Sequence, residues 1–253
     1  MKNDPRRTVF CLAVWCAQSA ALPSFEVASV KVTPVAPVRQ PFSIKGENGR
    51  LTIRNNSIGA IIQWAFGVVP ADTVLPSWAN DPDGPRYDID GKADESVPPA
   101  ELKLMLQKLL ADRFQFAAHH EMREGVHQVL RVGKRGAKLR EAGPPVAGIR
   151  PVRNDQANQR IVCQGATLAD FLYYLGATGS GRIYDRTGLT GRYDFTLDYG
   201  NYLEPAPTEK ALNAAIAARI DAMRAQLGLE VVDAKISVDT FVVDRIEKIP
   251  TGN

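Results

Sequence analysis

The sequence predicts an α+β fold of two similar modules, each a small, mostly antiparallel sheet with two helices on one face. Arg86-Tyr87-Asp88-Ile89 returns as Arg192-Tyr193-Asp194-Phe195. In both places the motif follows a short alternating strand and a hydroxyl-capped apolar helix, and a second helix and a further alternating stretch come after it. Corresponding strand, cap and motif are separated by a nearly constant distance, much longer than the period of a stacked repeat, so a whole module is expected to be duplicated.

Leu51 and Ile53 alternate with polar neighbours as a half-buried strand does. Ser57 then precedes Ile58, Ile61, Ile62, Ala65 and Phe66, a single apolar stripe at helical spacing, with a hydroxyl placed to accept from the first free amides and Gly67 as the expected stop. Ile161 and Cys163 repeat the strand. Thr167 opens a helix carrying Leu168, Phe171, Leu172 and Leu175, with Asp170 as capping-box partner and Gly176 as the expected stop. After the Arg-Tyr-Asp strands, Pro98 and Pro99 open a helix with Leu102, Met105, Leu106, Leu109 and Leu110 on one stripe. Thr208 opens the corresponding one, with Leu212, Ala215, Ile216, Ile220, Met223 and Leu227.

Each of these helices runs into apolar alternation that reads as a closing hairpin. In the first, Phe114 and Phe116 lead to a turn at Glu124-Gly125 and a strand over 126–132; in the second, Leu229, Val231, Ile236 and Val238 lead to a strand over 240–246. Gly143, Pro144, Pro145, Gly148 and Pro151 mark 133–158 as a linker, which sets the modules at 22–132 and 159–253.

The start of the chain reads as a secretory signal over 1–21: basic Arg6 and Arg7, an apolar run from Thr8 to Cys16, and small residues from Ala17 to Ala21. Cleavage is expected after Ser19 or Ala21. The run is shorter than the roughly 20 residues a membrane span needs, and bulky Trp15 before Cys16 argues against a lipid anchor, so the mature chain is expected to lack a transmembrane segment. An exported protein of the periplasm or extracellular space is therefore expected. The formal charge is +3 over 253 residues, and most of it belongs to this leader. A mature chain near neutrality lacks the basic face that nucleic acid requires. Cys11 and Cys16 leave with the leader, so Cys163 alone remains and no internal disulfide is expected.

His119, His120, Glu121, Glu124 and His127 are the one cluster of metal-capable residues. Adjacent histidines on a strand point to opposite faces, so a polar hairpin is expected in place of a metal centre. Arg86 with Asp88, and Arg192 with Asp194, suggest either a repeated anion site or, as the simpler expectation, two polar residues on one strand face with the tyrosines inward. Asp185, Asp194 and Asp198 do not read as a convergent acid pair. Gly179-Ser180-Gly181-Arg182 and Thr187-Gly188-Leu189-Thr190-Gly191 lack the order of a phosphate loop or nucleophile elbow and are expected to be turns. Arg131, Lys134, Arg135, Lys138 and Arg140 read as a solvated connector, and Cys163 as a buried apolar residue. No catalytic, cofactor-binding or metal-ligating residue is assigned.

Phe25-Glu26-Val27-Ala28-Ser29-Val30-Lys31, the first Arg-Tyr-Asp strand with Lys92-Ala93, Leu109-Leu110-Ala111-Asp112-Arg113-Phe114 and the run from Asp185 to Phe195 together resemble the soil-associated family of acidobacterial secreted proteins of unknown function, DUF3738. The likeness covers nearly the whole mature chain. It implies export but brings no activity and no site residues. The chain departs from the family pattern at Gly125-Val126-His127, where a Pro-Val-Tyr-like segment is usual, and from Ala177 to Ile183. The helix from Leu168 to Leu175 with the turn and strand after it is also similar to the short modules of secretins and TonB-dependent receptors, which implies protein contacts in the envelope.

The expected function is that of an exported, non-catalytic binding or interaction protein, whose partner is an envelope protein or a small extracellular ligand. The alternative is an extracellular hydrolase with an unrecognised active site.

Overall fold

Capping residues set the helices where the sequence places them. Ser57 Oγ accepts from the Ala60 amide at the start of α1 (Ile58–Phe66), and Gly67 closes it in the left-handed region at φ 68. Pro98 caps α2 (Pro99–Phe114), Thr167 with Asp170 forms a full capping box on α3 (Leu168–Leu175), and Thr208 caps α4 (Glu209–Ala222). The structure is a computed structural model that describes residues 22–33, 41–155, 158–200 and 208–252. The expected leader, with Cys11 and Cys16, lies outside the described residues.

The strands, in chain order, are β1 (Val27–Thr33), β2 (Ser43–Glu47), β3 (Arg50–Asn56), β4 (Thr73–Val74), β5 (Arg86–Lys92), β6 (Ala117–Val132), β7 (Arg140–Glu141), β8 (Val152–Asp155), β9 (Arg160–Ala166), β10 (Ile183–Asp185), β11 (Tyr193–Asp198) and β12 (Leu229–Arg245). The class is α+β, with several antiparallel sheets and few helices. The chain forms two compact units, Met1–Met122 with Asp239–Asn253, and Arg123–Val238.

In the first unit an antiparallel sheet runs in the order β1-β5-β3-β2. Period-two alternation turns Tyr87 and Ile89 of β5 and Leu51 and Ile53 of β3 inward, all at 1% exposure or less. They share a core with the apolar stripes of α1 and α2, including Ile61, Ile62, Leu106 and Phe114. β4 pairs in parallel with β12, Thr73 opposite Phe241, and Phe241 and Val243 complete the core.

In the second unit an antiparallel sheet runs in the order β7-β11-β9-β8. Ile161, Cys163 and Leu197 face a core shared with Phe171 and Leu175 of α3 and with Met223 and Leu227 beyond α4. β10 pairs in parallel with β6, Ile183 opposite Gln128. Segment 133–158, expected as a linker, supplies the two edge strands β7 and β8 of this sheet. No helix among the described residues is long and apolar enough to cross a membrane.

One local expectation is corrected. Neither closing hairpin forms: β6 is one strand through Glu124-Gly125, and β12 is one strand through Val238. Gly125 does not take the positive φ that a tight hairpin turn requires. The partner of β6 is β12, its neighbour in the sheet but distant in sequence, so the alternating pattern continues without a turn. Gly176 is the C-cap at which α3 ends, as expected, but it does not break the helical path. Its backbone stays right-handed at φ −60, and the chain continues through a wide π turn, Gly176–Ser180, to a glycine at φ 73, Gly181. Glycine permits a left-handed stop without imposing one. Here the Thr178 hydroxyl holds the Tyr174 and Leu175 carbonyls, each at 3.1 Å, and prolongs the turn.

Candidate functional site

The repeated Arg-Tyr-Asp motif serves a backbone irregularity. β3 and β9 each carry a left-handed residue just before the helix cap, Asn55 at φ 50 and Gly165 at φ 59. Such a bulge turns an N–H out of the ladder and leaves it needing an acceptor. Asp88 Oδ1 accepts from the Asn55 amide at 2.8 Å and from the Thr33 hydroxyl at 3.0 Å. Asp194 Oδ1 accepts from the Gly165 amide at 2.8 Å, and its Oδ2 takes Arg140 Nη2 at 2.6 Å. Arg192 donates to the Gly165 carbonyl, Arg86 to that of Pro82. Gly165 is confined further, since a Cβ there would lie 2.6 Å from the Gly143 carbonyl oxygen.

The other single candidates are also held in structural roles. Asp185 closes its own turn by accepting from the Thr187 amide and hydroxyl, while Asp198 lies at the end of β11, where its amide donates to Gln226. Cys163 is 1% exposed, and burial, followed by the Asp170 charge, pushes its thiol up to about 12. Little nucleophilic thiolate exists at neutral pH in such a place. In the basic run, Arg131 pairs with Glu230, Lys138 donates to the Ala225 carbonyl and Arg140 pairs with Asp194.

A buried polar atom without a hydrogen-bond partner among the described residues belongs to a side chain the sequence did not single out. Arg219 of α4 is half-buried, and its Nη1 donates to the carbonyl and hydroxyl of Thr178 at 3.3 and 3.2 Å. Its guanidinium lies 5.2 Å from the centre of the Tyr199 ring. The buried Nε has no hydrogen-bond acceptor among the described residues. Tyr199 in turn donates to Asn154 Oδ1 at 3.1 Å, and Tyr174 packs on the same core, its phenol raised by burial and by Tyr199. An arginine in a helical pattern looks like any surface arginine; only its packing marks it.

A family model for a protein of unknown function, DUF3738, matches residues 59–246. The chain belongs to the DUF3738 family. No curated protein and no solved structure matches it. The DUF3738 match runs from the first turn of α1 past the end of β12, so it takes in both Arg-Tyr-Asp strands, the Arg219 cluster and all three histidines.

Those histidines do not converge. His119 Nδ1 lies 2.9 Å from the Asp244 carboxylate, with Glu121 at 3.6 Å from Nε2. His120 bonds Asp239 at 3.1 Å and meets the Phe241 ring edge-on, while His127 packs edge-on against Tyr184. Among the described residues no group of three His, Cys, Asp or Glu side chains is placed to hold a metal ion. The Asp244 bond, followed in smaller measure by the Asp244 and Glu121 charges, raises the His119 pKa above its ordinary value of about 6.5. The stabilisation from protonated His119 is therefore complete below about pH 6.5 and lost as pH rises through the higher folded value. Stability should fall across this interval, and His119→Gln should flatten the fall. Urea midpoints measured between pH 5.5 and 8.5 check it; an unchanged slope in the variant would refute the assignment.

Proposed function

We propose that this DUF3738 protein is an exported, non-catalytic binding component of the cell envelope or its surroundings, built from two copies of one α+β module. The observation that carries the binding reading is Arg219, a cation over an aromatic ring whose buried Nε has no hydrogen-bond partner among the described residues. A buried donor without an acceptor costs free energy that a bound acceptor would return. The side chains of those anion, metal and nucleophile candidates are held otherwise: Asp88 and Asp194 by bulge amides, His119 and His120 by carboxylates, Cys163 by burial.

The duplication draws support from the matched orders β1-β5-β3-β2 and β7-β11-β9-β8, and from the bulge and aspartate in each. On this reading β7 and β8 stand where β1 and β2 stand, so the second copy begins inside 133–158. The far end of each copy's last strand, β6 or β12, belongs to the other compact unit. Export rests on the leader over 1–21.

The test is a broad hydrolase screen of the purified mature protein beside a pull-down from envelope extract, with Arg219→Gln in parallel. Retention of a specific partner by the wild type alone, without turnover, is the expected result. Turnover abolished by a single Ser, Asp, His or Cys substitution would refute the binding reading.

A further inference from the structure

Four positions that are apolar in the first unit are polar in the second, and they meet at Arg219. Trp64 and Tyr174 stand at equal distances from the helix caps Ser57 and Thr167, as do Val68 and Thr178. Ala93 and Tyr199 are equally spaced from Asp88 and Asp194. The left-handed residues Gln115 and Gly228 end the second helix of each unit, and at one distance before them lie Leu106 and Arg219. The helices share this phase, because Leu110 and Phe114 are buried on one and the corresponding Met223 and Leu227 on the other. Leu106 is 0% exposed. An arginine in the place of a core leucine is costly unless its charge and donors are matched.

They are matched only in part. Nη1 is taken by Thr178, which the π turn Gly176–Ser180 presents, and the guanidinium carbon lies 5.2 Å from the centre of the Tyr199 ring. π turns are rare and recur at functional sites. Among the described residues Nε has no acceptor and no carboxylate pairs with Arg219. Tyr174 is half-buried on the same core, and its phenol feels the Arg219 charge. A guanidinium has donors alone, so what completes it is an acceptor; its Nε–Nη2 edge matches two oxygens of one carboxylate or phosphate.

We propose that Arg219 anchors an oxyanion site in the second unit, in which a carboxylate or phosphate group takes the Nε–Nη2 edge beside Tyr174 and Tyr199. The site deepens the binding reading above and rests on it. A core leucine, Leu106, at the equivalent position explains why the first unit has no counterpart.

The experiment is a titration of the full chain with sodium acetate and with sodium phosphate, against sodium chloride at matched ionic strength. Two readouts are followed, the Nε–H NMR signal of Arg219 and the unfolding temperature. A saturating shift with acetate, phosphate or both is expected, and the stronger anion identifies the class. Arg219→Lys should weaken it roughly tenfold, the worth of one charge-assisted hydrogen bond, and Arg219→Leu should abolish it. No saturation, a shift equal to that in chloride, or a response that Arg219→Leu retains would overturn the site and leave a buried water as the occupant. The equivalence with Leu106 is read separately: without added anion Arg219→Leu should unfold at a higher temperature, and a lower one would overturn the equivalence. Turnover in the hydrolase screen with the anion response intact would instead refute the non-catalytic reading alone.

Discussion

Ending the chain after Arg245 should destabilise the first unit by about 3–5 kcal/mol, from one lost apolar side chain and one orphaned buried hydroxyl. Ile246 is 9% exposed and belongs to the core that holds Tyr87 and Phe114. Its burial is worth about 1.5–3 kcal/mol. Tyr87 is 0% exposed, burial pushes its phenol up to about 12, and its hydroxyl donates to the Lys248 carbonyl at 2.7 Å. Without that carbonyl the hydroxyl is stranded, at a cost of about 1–3 kcal/mol. The same tail satisfies the open end of α2, where the Glu247 amide donates to the Phe114 carbonyl and the Thr251 amide to that of Arg113, each at 2.8 Å. Native-state hydrogen exchange separates the units, and loss of protection should be concentrated in β3, β5 and α2. Tyr87→Phe in the full chain removes the hydrogen bond alone and should cost about 1 kcal/mol. A truncated chain with unchanged protection in those elements would show that the tail contributes nothing.

Asp88→Ala and Asp194→Ala should each cost about 2–3 kcal/mol, because each strands a bulge amide and frees a second donor. The amide of Asn55 or Gly165 has turned away from its ladder and donates to the aspartate instead. Asparagine keeps an oxygen for that amide, so Asp88→Asn and Asp194→Asn should retain most of the stability. At Asp194 the Asn variant also loses the Arg140 pair, whose arginine is 78% exposed, and an exposed pair adds little. Chemical unfolding of the four variants reads this ordering directly. Equal losses for Ala and Asn would mean that the charge, and not the acceptor, is what the strand needs, which would return the motif to consideration as an ion site.

Elements governed by near neighbours were legible from residues alone. Ser57, Thr167 and Thr208 cap helices because the hydroxyl and the amide it accepts from lie three residues apart. The apolar stripes of α1 to α4 and the inward tyrosines of β5 and β11 follow from periodicity, which needs no knowledge of the partner. The Arg-Tyr-Asp repeat was visible at once, and its physical task was not. Nothing in Asn55 or Gly165 announces a bulge until the register between β3 and β5 or β9 and β11 shifts.

What the sequence by itself determined is the α+β class, the family, the helix ends set by hydroxyl and proline caps, and which face of each strand is buried. All of these are local, decided within a turn of helix or two residues of strand. What only the tertiary structure decided is pairing over long sequence distances: that β6 and β12 run on where hairpins were expected, that 133–158 supplies edge strands, and that three histidines diverge to separate partners. A strand's alternation is the same whether its neighbour follows a two-residue turn or arrives from the other end of the chain, so pattern cannot choose between them. The same holds for Arg219, whose place in the helix is readable but whose contacts with Thr178 and Tyr199, and the burial of its Nε, exist only in the folded chain.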